Sequence, residues 1–288
     1  MAATHDIVYQ GNCHCGRYRF QVSTAEITSA ISCTCSLCVK KGYLWLIPGE
    51  SSFTVMKDEG YLVEYQTSTL KDKVYTYFCS YCGSGVEGEH LTGPLRGKFL
   101  INIRTLREPY VNPFRLESAI SVIEAEGDTR SIEPLSQQPD EPAAKSLFAC
   151  HCGDVRATLL SPIEDEEMKE DNCSKCVRIA YIGIYPTKEN VRIYGRDRVF
   201  EYLTGGKFTG STYCKTCGVH VFSNIYGPPI SVFDKLPPER KERALAVYHK
   251  NMAMQPLNVR AIEGVKLDTF LPLIKREDEG TDGYELDP

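Results

Sequence analysis

The chain has 288 residues, 42% hydrophobic and 25% charged, a globular balance that excludes wholesale disorder and a fibrous repeat. Its 33 basic and 38 acidic residues leave a formal charge of −5, which argues against a broad nucleic-acid-binding face, because counterion release needs clustered Lys and Arg. At roughly 100–200 residues per domain the length is that of two domains, each able to bury its own core.

Taken in chain order, residues 1–6 have neither the basic nor the apolar region of a secretory signal, and Glu285–Pro288 matches no address signal. A cytoplasmic protein is expected. No apolar run approaches the roughly 18 residues of a membrane span. Tyr18–Val22, Tyr43–Ile47, Tyr61–Tyr65 and Val74–Phe78 are rich in aromatic and β-branched residues and are bounded by Gly, Ser and Asp, so they read as strands at short intervals. Gly127–Lys145 is polar and proline-bearing, without apolar periodicity, and reads as a linker. Further on, Pro237 and Pro238 introduce a helical pattern over Glu239–Met252, with Leu245, Tyr248 and Met252 on one face that would cover a sheet. The charged run from Lys275 to Glu285 reads as a frayed acidic tail.

Thirteen cysteines are the informative excess. Their odd number, their close spacing and the expected compartment favour thiolate metal sites over a disulfide framework. They also repeat. Cys13 and Cys15, then Cys33, Cys35 and Cys38, then Cys79 and Cys82 are followed by Cys150 and Cys152, then Asp171, Cys173 and Cys176, then Cys214 and Cys217, at offsets of 135–138 residues. Tyr43 matches Tyr181, and Glu64-Tyr65 matches Glu201-Tyr202. Asn102-Ile103-Arg104 recurs as Asn258-Val259-Arg260 at an offset of 156, which puts about twenty extra residues between Tyr226 and Pro256. The expected organisation is a first unit over 1–126, a linker over 127–145, a second unit over 146–274 and a tail over 275–288.

In an extended chain residues i and i+2 face the same way, so each Cys-x-Cys pair offers two sulfurs together, and each Cys-x-x-Cys turn offers two more. Joining them gives two closed four-sulfur clamps, Cys13, Cys15, Cys79, Cys82 and Cys150, Cys152, Cys214, Cys217, with the character of structural zinc sites. Cys33, Cys35 and Cys38 have no fourth cysteine nearby. Three ligands leave an open position, which distinguishes catalytic from structural zinc. The first unit is therefore expected to hold the working site. Asp171 replaces Cys33 in the second, where an oxygen ligand keeps an altered site open as an alternative.

The order of these motifs, with Lys40-Lys41-Gly42 after the triplet and Asn-x-Arg near the end, resembles the glutathione-dependent formaldehyde-activating enzyme and centromere protein V family, here as a tandem pair. The resemblance implies a mainly β fold of two Mss4-like zinc domains, the second with a short helical insertion. It also implies structural zinc on the clamps and a second zinc on Cys33, Cys35 and Cys38 that can take a substrate thiol.

A soft, sulfur-rich site is a poor water activator but holds a fourth sulfur as thiolate at neutral pH, which suits making or breaking a carbon–sulfur bond. The leading expectation is a zinc-dependent carbon–sulfur lyase acting on a small-molecule thiol adduct, glutathione or a similar thiol being the partner. The alternatives are a zinc enzyme acting on a bulky substrate without glutathione, and a non-catalytic zinc interaction module. Among the neighbours, Lys40 and Lys41 read as a solvated surface pair, Tyr43 and Trp45 as core, and His14 and His151 as turned away from the metal. His220 reads as a non-ligand, and Arg104 and Arg260 as buried groups satisfying carbonyls.

Overall fold

The computed structural model describes residues 6–67, 74–125, 132, 143–264 and 266–286. Most of the expected linker lies outside these. The architecture is mainly β, as the strand pattern predicts, with four sheets, short 3-10 turns and three α-helices among the described residues: α1 (Ser36–Lys41), α2 (Ser174–Ile179) and α3 (Pro238–Met252). No helix among the described residues is long and apolar enough to cross a membrane.

In the first half, a four-stranded sheet runs in the order Leu106–Glu108, Ile7–Asn12, Tyr18–Thr24, Phe53–Asp58. A seven-stranded sheet runs Ile120–Ile123, Ala30–Cys33, Trp45–Leu46, Phe99–Asn102, Gly85–His90, Val74–Cys79, Leu62–Gln66. The inward residues alternate as half-buried strands require: Val74, Thr76 and Phe78 are buried between the less buried Tyr75 and Tyr77. The second half has a seven-stranded sheet whose strands correspond one for one, from Ile274–Glu277 through Met168–Asp171, Ile182–Ile184, Leu257–Asn258, His220–Ile225 and Thr209–Cys214 to Val199–Leu203. Its smaller sheet has three strands, Ser146–Ala149, Arg156–Leu159 and Val191–Tyr194. A single bridge, Phe148 to Ile262, stands where the first half has the Gly11–Leu106 pairing.

The C-terminal run does not fray. Ile274–Glu277 pairs in parallel with Met168–Asp171, just as Ile120–Ile123 pairs with Ala30–Cys33. Beyond it, Asp278 accepts from Asn112 and Asn172, and the Tyr284 hydroxyl accepts from Asn12 and donates to the His14 carbonyl. Edge position explains the charge: the strand needs one inward residue, Ile274, and its other side chains face solvent or carboxylates such as Glu117 and Glu167. The inserted helix α3 forms where the two prolines place it, with Leu245, Tyr248 and Met252 half-buried on one side.

The two halves do not bury separate cores. One cluster joins Trp45, Tyr65 and Phe78 to Phe148, Val155 and Phe222; the other joins Tyr9, Phe20 and Val86 to Ile179, Tyr202 and Tyr213. At the contact between α1 and α2, a Cβ on Gly42 would stand 2.2 Å from the Ala180 Cβ, and Gly42 already ends its helix at φ +61°. Gly42→Val should therefore combine a left-handed strain of about 1–2 kcal/mol with an overpacking cost of about 1–3 kcal/mol. A loss of about 2–5 kcal/mol in urea unfolding, relieved in part by adding Ala180→Gly, is the expected result.

Candidate metal centres

All thirteen cysteines are free thiols, and they gather into four groups. Cys13, Cys15, Cys79 and Cys82 form one, and Cys150, Cys152, Cys214 and Cys217 another; within each, every sulfur lies within 4.8 Å of the others. The Cys13–Cys15 and Cys15–Cys79 sulfurs are 3.5 and 3.7 Å apart, and the Cys150–Cys152 and Cys152–Cys214 sulfurs both 3.4 Å. A disulfide needs about 2.05 Å. Four sulfurs at about 2.3 Å from one tetrahedral ion would stand about 3.8 Å apart, so the donor sets fit such an ion.

Local backbone makes these groups. The first pair leaves the strand Ile7–Asn12 in a turn closed by the Gly16 amide on the Cys13 carbonyl, and the Tyr18 amide points at the Cys13 sulfur at 3.4 Å. Val155 does the same for Cys150 at 3.2 Å. The Cys79–Cys82 turn is closed by the Gly83 amide on the Cys79 carbonyl, and Gly83 has φ +77°, a conformation that favours glycine. Its missing side chain also admits the Tyr213 ring, while Phe78 packs on Gly218 in return.

The third group, Cys33, Cys35 and Cys38, sits at a strand-to-helix corner: Cys33 ends a strand, Cys35 precedes α1 and Cys38 lies in it. Their exposures are 5%, 1% and 1%, so bulk water is kept from the sulfurs. The edge strand Ile120–Ile123 locks the corner, because the Thr34 amide donates to the Ile123 carbonyl and the Ala125 amide donates to the Thr34 hydroxyl. The hydrogen bond from Cys35 draws Cys33 well below the ordinary thiol range, whereas burial pushes Cys38 up. Three thiolates this close repel one another, so they would share full ionisation only around a cation.

Asp171, Cys173 and Cys176 occupy the matching corner at α2 and are only half-buried. One Asp171 oxygen accepts from the Cys173 amide at 2.8 Å. A cavity of about 650 Å³ lies between α3 and the sheet, with Tyr185, Phe208 and Tyr248 among its walls. Gly183 stands in the second sheet where the buried Trp45 stands in the first, opposite Lys169 and Asn258 as Trp45 is opposite Ile31 and Asn102.

Lys40 and Lys41 are not a surface pair; both are buried at 7% exposure. Lys40 reaches across the molecule to the carbonyls of Ala149 and Ala261 and to Glu263 at 2.7 Å. Lys41 donates to the Gly218 carbonyl at 2.7 Å and the Gly83 carbonyl at 3.4 Å, joining both clamp turns, and burial lowers its pKa to about 8. Arg178, one turn into α2, donates to the Asn12 carbonyl in the opposite sense. Arg104 and Arg260 donate to the carbonyls of Gly42 and Ala180, as buried arginines satisfying backbone oxygens should.

The histidines between clamp cysteines do turn away from the sulfurs, but through the turns in which both pairs lie and not through the extended-chain alternation expected of them. His14 meets the Tyr202 hydroxyl at 2.8 Å, and His151 meets the Tyr65 hydroxyl at 2.7 Å, so each half anchors the other's clamp. Burial lowers the pKa of His14 to about 4. His220 contacts the Thr212 carbonyl and Ser223. His90 is the residue the motifs did not single out: its Nε2 lies 3.7 Å from the Cys38 sulfur. No spacing rule connects residues 38 and 90; strand pairing does.

Against known proteins, residues 8–117 match the family model for the glutathione-dependent formaldehyde-activating enzyme. That segment contains the first clamp, the triplet, His90 and the Asn102–Arg104 turn, and the match bears out the resemblance seen in the motifs over that range. A crystal structure of a Rhodobacter sphaeroides protein is similar over 46% of this chain and 99% of its own, at 19% identity and a TM-score of 0.33.

The paired anchors give a direct test. Tyr65→Phe and Tyr202→Phe each remove the phenol that faces one nitrogen of a buried imidazole and should cost about 1–2 kcal/mol in denaturant unfolding, adding in the double variant to within about 0.5 kcal/mol.

Proposed function

We propose that the chain is a tandem pair of zinc-holding units in which the first is a small-molecule enzyme of the carbon–sulfur lyase class, acting on a thiol–aldehyde adduct with glutathione or a similar thiol. The observation that carries this is the contrast between the groups: four sulfurs in each clamp, but three in the buried corner at Cys33, Cys35 and Cys38. Cys13, Cys15, Cys79 and Cys82, and their counterparts Cys150, Cys152, Cys214 and Cys217, would hold structural zinc. The matched strand order and cross-contacts of the two halves support the tandem reading.

Zinc held by Cys33, Cys35 and Cys38 would supply a position at which an incoming sulfur is stabilised as thiolate at neutral pH. The chain's own part is to fix the three sulfurs at one corner, to exclude bulk water from them by burial, and to hold α1 against the second half through Lys40 and Lys41. In the reaction class the thiol sulfur and the aldehyde carbon form a bond while the thiol proton passes to the carbonyl oxygen. The reverse returns the proton and expels the thiol. The second corner, with Asp171 for Cys33, is read as the altered partner, and Asp171, Cys173 and Cys176 as a weaker set of ligands.

Metal analysis of protein purified without chelator should give about three zinc ions per chain, two in clamps and one in the triplet. Two would remove the proposed working centre, and four would mean that Asp171, Cys173 and Cys176 hold zinc as well. Cys38→Ser should abolish adduct turnover with the melting temperature nearly unchanged, whereas Cys82→Ser should destabilise the whole chain, because its cluster contains residues of both halves. Equal damage from both would overturn the division into working and structural centres.

A further inference from the structure

Four histidines are buried among the described residues: His14, His90, His151 and His220. Three are held by oxygen partners, namely Tyr202 and Ser174, Tyr65, and the Thr212 carbonyl with Ser223. His90, 6% exposed, instead faces sulfur. It closes the strand Gly85–His90 in register with Val74, on the buried side of the sheet that also carries Gly88 and Thr76. The same register in the second half pairs Thr209 with Ile225, so an apolar side chain replaces the imidazole there.

We infer that His90 is a positioning residue of the first centre, whose Nε2–H donates to the Cys38 sulfur without itself joining the metal. This rests on the reading that Cys33, Cys35 and Cys38 hold zinc. A nitrogen at the fourth vertex of a tetrahedron would lie about 3.6 Å from all three sulfurs. His90 is 3.7 Å from Cys38, yet stays outside the set of donors that all lie within 4.8 Å of one another. It therefore stands beside one ligand and leaves the fourth position to an incoming thiol. A donor on a thiolate withdraws charge from the sulfur, so the ion it supports becomes a stronger acceptor for another sulfur. The second corner, lacking both Cys33 and His90 equivalents, has neither the third thiolate nor this donor. The thiol site is thus specific to the first half.

Cadmium-substituted protein carrying isotopically labelled histidine tests this without turnover, because cadmium NMR resolves four-sulfur from three-sulfur centres. His90→Phe should move the three-sulfur resonance and leave the clamp resonances in place, the latter reporting an intact fold. His90→Gln, which keeps an N–H donor, should return that resonance toward its wild-type position. Glutathione titrated onto the three-sulfur resonance should bind at least about tenfold more weakly in the Phe variant. Nitrogen coupling to His90 at that resonance would overturn the inference by making His90 a ligand. An unmoved resonance with unchanged glutathione affinity would overturn it by making His90 mere packing. Both outcomes leave the zinc reading standing, whereas a triplet that takes up no cadmium sinks the zinc reading and this inference together.

Discussion

Buried cations of two short helices, laid against the carbonyls of the opposite half, tie the molecule together. Lys40, Lys41 and Arg178 are each at most 7% exposed, and each finds backbone oxygen across the interface. Leaving such charges unpaired in a low-dielectric interior would cost several kcal/mol apiece, so the halves must meet in one register. Lys41 sets that register most directly, because it touches both cysteine turns, at Gly83 and at Gly218. Its ammonium also lies near the sulfurs of Cys82, Cys214 and Cys217, whose influence favours the charged form against the burial that opposes it. The clamps and the interface are therefore one structural unit, and the corner at α1 inherits its position from both.

Sequence spacing made the two four-cysteine groups legible because their members come from short motifs with local geometry, the Cys-x-Cys pairs folding as tight turns just as the Cys-x-x-Cys pairs do. The strands were legible for the same reason, and so was α3, which begins at its prolines. What escaped was set by distant partners. Lys40 reads as a surface residue until Glu263 and Ala261 arrive more than two hundred positions later. Lys275-Arg276-Glu277 reads as a solvated tail because an edge strand needs little apolar surface, and its pairing partner lies a hundred residues upstream. His90 belongs to no motif at all; only the pairing of its strand with its neighbours brings it to Cys38.

The expectation of two self-sufficient cores likewise failed for a physical reason. Each clamp turn carries a glycine at positive φ, and the space left by the missing side chain is filled by an aromatic ring of the other half, Tyr213 on Gly83 and Phe78 on Gly218. Composition and length say how much apolar surface there is to bury, but not which chain segments bury it. Here the reciprocal exchange of rings, imidazole–phenol contacts and cations makes each of the two core clusters span both halves.

Near-symmetry of this kind makes the departures informative, since the surrounding frame is held constant. At matched positions the first half has Cys33, Trp45 and His90, and the second has Asp171, Gly183 and Ile225. The three differences fall around one corner and spare every clamp cysteine. If the clamps hold metal, loss of one of their cysteines would be costly to folding, so their presence in both halves is what folding alone requires. Matched positions differ elsewhere as well, as at Gly85 and His220 or Lys41 and Ile179, but these three change the donor set, the buried ring beside it and the group facing the helix sulfur. The first corner has more sulfur, more burial and an imidazole beside Cys38. Its counterpart keeps the strand frame and the interface while presenting a harder, more exposed set of side chains.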